Sequence, residues 1–128
     1  MDVNDLMIGD LVQVNGEVFK VISISYFDIG ISDSKEDFYH EHIDNIESIP
    51  LTQKILEKNG FVKQDYDGWL ISEHNGRRLI EYRTDYFGGL LIINYVEEPY
   101  SKISIKLKYV HELQHALKLC RFDKDIDI

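Results

Sequence analysis

The chain has little of what several common kinds of site are built from. It contains a single cysteine, Cys120, in 128 residues, so no internal disulfide can staple it, and a reducing cytosol or a virion is the expected setting. No stretch approaches the roughly 18 apolar residues of a membrane-spanning helix; the longest candidate is Leu90-Leu91-Ile92-Ile93. The N-terminus has no apolar core of the secretory kind, so neither export nor membrane insertion is expected. Positive charge is scarce: 14 Lys and Arg stand against 23 Asp and Glu, a net charge of −9. That deficit argues against nonspecific binding to a phosphate backbone, which needs a Lys- and Arg-rich footprint. A Gly-rich phosphate loop, a Ser or Cys nucleophile motif and a paired-carboxylate arrangement are also missing, and no cofactor is expected. Internal repeats, low-complexity segments and flexible linkers are not evident.

What is present is enough apolar material, 44% of the residues, to fill a real core. The expected fold is α+β: a small SH3-like β-barrel over residues 1–50, packed with a four-stranded antiparallel sheet flanked by two helices over 51–128, as one compact unit. In the first part, Asp10 to Asn15 alternates apolar and polar residues, Gly16 allows a reversal, and Glu17 to Ser25 supplies a second strand. Short strands near Ile29-Gly30-Ile31 and Phe38-Tyr39 follow, with Ile46 to Ile49 closing the module. So many short strands, with so many Ile and Val residues to bury, favour a small open barrel over an isolated hairpin.

Pro50 separates the two parts. Thr52 can cap a short helix over 53–59, Leu51 and Leu56 can meet across its first turn, and Gly60-Phe61 makes a stop. Four strands are then readable: Trp69 to Ser72, Arg78 to Arg83, Leu90 to Val96 and Lys102 to Leu107. Asn75-Gly76 is a strong hairpin signal between the first two. In the last strand Ile103, Ile105 and Leu107 alternate with Lys102, Ser104, Lys106 and Lys108, so one face is buried and one is wet.

The segment Tyr109 to Cys120 carries apolar residues at helical spacing and also the motif His111-Glu112-Leu113-Gln114-His115. In zinc peptidases with His-Glu-x-x-His, the two His side chains converge on the metal and the Glu takes a proton from its bound water. Around the helix, however, Val110, Leu113, Ala116, Leu117 and Cys120 gather in an arc of about 120°, whereas His111 and His115 fall roughly 100° to 140° from Val110. The two histidines are therefore expected on a wet face. A third ligand would have to come from Asp123, Asp125 or Asp127, or from His40, His42 or His74 upstream. The primary expectation is no metal and no catalytic residue; the alternative is a zinc-dependent hydrolase with Glu112 as base and His111 and His115 as ligands.

Several stretches in this order, Ile8-Gly9-Asp10-Leu11-Val12, Asn15-Gly16-Glu17-Val18, Ile46 to Thr52, Ile55 to Phe61 and Ile105 to Gln114, together resemble an uncharacterised family of small proteins from Bacteroidota and their phages or mobile elements. The Pro-Leu-Thr helix start and the Tyr-Val-His-x-Leu-Gln segment carry most of that resemblance. It implies a cellular or phage-related setting and no activity. By the same comparison Glu112 and His115 depart from the family's pattern, whereas His111 matches it.

The second half is rich in aromatics. Tyr66, Trp69, Tyr86 and Phe87 lie in or beside turns left uncovered by Gly68 and Gly88-Gly89, and exposed aromatics suit protein interfaces. These four are the expected binding residues. Asp65/Asp67 and the turn at Asp28 would be cation candidates by type, but neither has the spacing of a calcium loop. The expected function is thus that of a noncatalytic binding or structural protein, cytoplasmic or virion-associated. Its expected partner is another protein or a second copy of itself, with no membrane and no nonspecific nucleic-acid binding; an acidic nucleic-acid mimic is a variant that would require the carboxylates to cluster.

Overall fold

A computed structural model describes residues 2–26, 28–72, 78–84, 89–95, 102–122 and 124–128. The chain is α+β, with two antiparallel sheets and two α-helices among the described residues. It divides into two units: residues 1–50 with 109–115, and residues 51–108 with 116–128.

The first unit is a four-stranded meander of β1 (Leu11–Val14), β2 (Glu17–Ile24), β3 (Asp28–Ser32) and β4 (Phe38–His42), paired in that order. Asn15 (φ 51°) and Gly16 (φ 82°) both take positive φ between Val14 and Glu17. This is the two-residue hairpin turn whose twist matches that of the flanking strands. A register shift between Val21 and Ser23 bends β2, as an extra residue in a ladder does. Val12, Val21, Ile29 and Ile31 are buried with Leu6 and Ile46, while Val3, Val14, Phe19 and Ile43 pack around them. Each such aliphatic side chain contributes about 1.5–3 kcal/mol by leaving water.

Among the described residues the four strands do not form a closed barrel. In the segment Ile46 to Ile49, expected to close the module, only Glu47 pairs, through reciprocal 2.9 Å bonds with the main chain of Gln13. A 3₁₀ turn over Ile43–Asn45 occupies the residues before it, and Pro50 lacks an N–H to extend the ladder. Among the described residues the sheet is an open meander with one bridge.

The second unit starts with α1 (Gln53–Lys58), whose first turn is capped by the Thr52 hydroxyl accepting from Ile55 N–H at 3.3 Å. Phe61 N–H returns to the Leu56 carbonyl and Gly60 N–H to that of Glu57, with Gly60 at φ 89°. That is the glycine-dependent Schellman stop foreseen at Gly60-Phe61. The sheet has five strands rather than four: β5 (Val62–Lys63), β6 (Gly68–Ser72), β7 (Arg78–Arg83), β8 (Leu90–Tyr95) and β9 (Lys102–Lys106), in sequential order. The Asn75-Gly76 turn lies outside the described residues, although Ser72 pairs with Leu79 on either side of it. Towards the end of the sheet Ser104 and Lys106 are exposed and Leu107 is buried, in keeping with the alternation of that segment.

The helix α2 (Val110–Leu119) begins in the first unit and ends in the second. It closes with the same motif as α1, Phe122 N–H to Leu117 O and Arg121 N–H to Lys118 O, but with Arg121 in the left-handed region at φ 57°. Cys120 is half-buried, its thiol directed at the Leu117 carbonyl at 3.4 Å. No described helix is long and apolar enough to cross a membrane.

Candidate functional site

The residues of the His-Glu-x-x-His motif meet the turn that leads into β1. That turn is held by Gly9 N–H to Val21 O and Val21 N–H to Asp10 O, both at 2.8 Å. It places the Asp10 carboxylate, only 2% exposed, where it accepts from Met7 N–H at 2.8 Å. His115 Nε2 lies 2.8 Å from both Asp10 oxygens. The next residue along each segment joins in: Gln114 accepts from Leu11 N–H at 2.8 Å and donates to the Gly9 carbonyl at 3.1 Å.

This corrects the expectation of a wet histidine face. His111 is 5% exposed and His115 is partly buried. Both sit off the apolar arc of α2, as their helical angles require, but the 7–11 turn supplies a polar wall for that side of the helix. His111 stacks on Tyr109, with centroids 5.9 Å apart and planes at 12°, and meets the edge of His115 at 5.6 Å. Burial pushes the His111 imidazole below its ordinary pKa; the Asp10 and Glu112 carboxylates oppose that shift. Its Nδ1 has no hydrogen-bond partner among the described residues.

Glu112 has a structural partner. Its carboxylate accepts from Tyr109 N–H at 3.0 Å, three residues back. That is one half of a capping box, satisfying a donor that the first helical turn leaves open. In a zinc peptidase this carboxylate faces the metal-bound water and the Nε2 atoms of both histidines point to one ion. Here one Nε2 is on a carboxylate and the Glu is on the backbone. Among the described residues no group of three or more His, Cys, Asp or Glu side chains is disposed to hold a metal ion. Asp123 and His74 lie outside the described residues.

Of the four expected aromatic binding residues, Tyr66 and Trp69 are among the described residues. Trp69 is 2% exposed and belongs to the core of the second unit, so it is corrected from a binding residue to a packing one. Tyr66 is exposed, but its hydroxyl donates to the Glu81 carboxylate, the Arg83 guanidinium lies over its ring at 5.0 Å, and the ring covers Gly68 closely enough to exclude a Cβ there. It fastens the β5–β6 turn. Tyr86 and Phe87 lie outside the described residues.

Two features of the first unit went unread in the sequence. Phe38, 71% exposed, and Tyr39, 46% exposed, stand on β4, the edge strand of the sheet. Tyr39 also packs edge-on against Phe19 at 5.9 Å and donates to Asp33 Oδ2 at 3.2 Å. The Asp33 carboxyl accepts in addition from the N–H groups of Lys35 and Asp37; burial would raise its pKa, but these bonds hold it below the ordinary value. The second feature is charge. Residues 1–50 carry eleven Asp and Glu against two Lys, whereas residues 51–128 carry twelve acidic and twelve basic residues. The whole net charge of −9 therefore belongs to the first fifty residues, and counting charge by half would have found it.

Comparison of the chain with family models, with curated proteins and with solved structures returned no match.

Proposed function

We propose that this chain is a noncatalytic binding protein that acts on a protein partner through its acidic first unit. The observation that carries the reading is the bond from Tyr109 N–H to Glu112: the one residue that a zinc hydrolase would need as its base is engaged in capping its own helix. The Asp10–His115 contact supports the same reading, because it occupies the Nε2 that would face a metal. The confinement of the net charge to residues 1–50 supports a partner of opposite charge and disfavours nucleic acid. A cytoplasmic or virion-associated setting, and a phage or mobile-element origin, belong to the same proposal; they are supported by the lone cysteine and by the resemblance described above.

The test compares metal content and hydrolysis. Purified protein, loaded with zinc and dialysed, is expected to retain less than about half an equivalent by elemental analysis. It should cleave an unfolded protein substrate no faster than buffer does. Stoichiometric zinc, together with zinc-dependent cleavage that disappears in Glu112→Gln, would overturn the proposal in favour of the hydrolase.

A further inference from the structure

We propose that the outer edge of β4 is a strand-addition site for an extended, Lys- or Arg-rich segment of a partner protein. This rests on the binding-protein reading above and names the surface and the partner's chemistry. The argument begins with the ladder. Asp33 N–H bonds to the Asp37 carbonyl at 3.1 Å, and the β3–β4 register pairs Ser32 with Phe38, Ile31 with Tyr39 and Gly30 with His40. In an antiparallel pair hydrogen-bonded and non-bonded positions alternate. The main-chain groups of Tyr39 and Glu41 therefore face β3, and those of Phe38 and His40 face outward. No strand among the described residues pairs on that side. The edge is hence a short row of open donors and acceptors, which an incoming strand completes.

Side chains define what that strand would carry. Phe38 projects from one face of β4 at 71% exposure, and Tyr39, against Phe19, from the other. An added strand thus finds an aromatic surface on each face. Asp37 precedes β4 and Asp44 follows it, with Glu41 on the strand and Asp28 and Glu36 in adjoining segments. The only cations in residues 1–50 are Lys20 and Lys35. Charge then chooses the occupant. Pairing two copies edge to edge would bring these carboxylates against each other with a net charge of −9 on each chain, whereas a basic strand meets opposite charge along its length. His42, its ring nitrogen accepting from Asp44 N–H at 3.1 Å, turns the chain at the end of the strand and limits the site to a few residues.

The experiment uses the full chain and a dye-labelled peptide of about eight residues alternating Lys and Val, long enough to span β4. Its acidic counterpart alternates Glu and Val. Expected results are micromolar binding of the basic peptide only, weakened about tenfold or more by ~0.5 M salt, and slower amide exchange at Phe38 and His40. His40→Pro removes an outward donor and leaves the β3 ladder intact; once circular dichroism shows it folded, it should abolish binding. Asp37→Lys with Asp44→Lys should weaken binding about tenfold without touching the main chain. Equal binding of the acidic peptide, protection elsewhere on the protein, or unchanged binding by these variants overturns the assignment. Dimerisation that protects Phe38 and His40 without peptide overturns it too, in favour of a second copy as occupant. Complete absence of peptide binding removes the edge site but leaves the binding-protein reading standing, since that reading fails on zinc-dependent hydrolysis.

Discussion

Each unit ties a distant stretch of chain to itself through one buried polar side chain, and the two ties differ in kind. In the first unit the tie is Asp10, 2% exposed, which reaches His115 across 105 residues. In the second it is Asn59, 3% exposed, which donates to the carbonyls of Ile55 and Asp127 at 2.7 Å and accepts from Asp127 N–H at 2.8 Å. Asn59 meets main-chain groups with a neutral amide that has both donors and acceptors, so it is satisfied without charge. Asp10 needs a donor such as an imidazole to face its carboxylate. The neutral tie belongs to the unit whose charges nearly balance, and the ionisable tie to the unit that carries the excess of carboxylates. One unit should therefore respond most to changes of charge at its tie, and the other to loss of hydrogen-bond geometry.

The largest effect should come from removing the ionisable tie. Asp10→Ala leaves Met7 N–H and His115 without their buried acceptor, and breaking a buried pair of this type costs about 3–5 kcal/mol. Urea unfolding followed by circular dichroism should show that loss. Hydrogen exchange should accelerate over residues 11–24 more than over residues 62–71. Equal acceleration in both stretches would break the contrast between the units.

Exchanging the chemistry of the second tie sharpens the same contrast. Asn59→Asp has almost the same shape, but a carboxylate cannot donate to Ile55 O and Asp127 O and would face both as an unpaired charge. A cost of about 2–3 kcal/mol is expected. Asp10→Asn should cost less, about 1–2 kcal/mol, because its amide still offers an acceptor to Met7 N–H and keeps a polar group within reach of His115. Thermal melts of both variants at neutral pH would reverse the argument if Asp10→Asn proved the more damaging.

A smaller effect is expected at the helix start. Glu112→Ala should lose about 1 kcal/mol through the unsatisfied Tyr109 N–H, whereas Glu112→Gln, which keeps an acceptor oxygen, should lose only a few tenths. Chemical denaturation resolves the two. If Gln and Ala proved equally damaging, the carboxylate's role would lie in its charge rather than in capping.

Much of this architecture was legible locally, because it depends on local chemistry. Thr52, Gly60 and Asn15-Gly16 each carry a cap or turn in residues adjacent in sequence, and the alternation towards Leu107 follows from the pleat. Closure of the barrel was not legible because a run such as Ile46 to Ile49 signals burial without saying how many residues pair. β5 was missed because two residues give no periodicity to detect. Trp69 was taken for a turn anchor from its neighbours Asp67 and Gly68, although a large ring at the start of a strand is well placed to fill a core. The histidines were misread for a different reason: helical angle tells which side of α2 they occupy, while Asp10, which His115 meets, is a hundred positions away. Edge status, which makes Phe38 and Tyr39 interesting, is likewise a property of strand order and not of any one strand.

The smallest expected effect, and the one that separates the units most cleanly, is the linkage of His111 to pH. Burial lowers its pKa, His115 adds to that lowering, and the Asp10 and Glu112 carboxylates work against it, so opposing influences leave a partial shift. The sign follows from the depressed folded value. As pH falls through the unfolded value, about 6.5, the unfolded chain takes up a proton that the folded protein still refuses, and unfolding gains. The stability is therefore fully present above that pH and is lost progressively as pH falls towards the folded pKa. His111→Phe keeps a ring beside Tyr109 and removes the titrating group; its unfolding free energy should fall less than that of the parent between about pH 7.5 and about pH 5. The described part of the second unit contains no histidine, so the pH-dependent rise in hydrogen exchange should concentrate in residues 9–24 and 109–115. A parent and a variant with parallel pH profiles would show that His111 is not held neutral by burial, and would remove it as a source of pH dependence in the first unit.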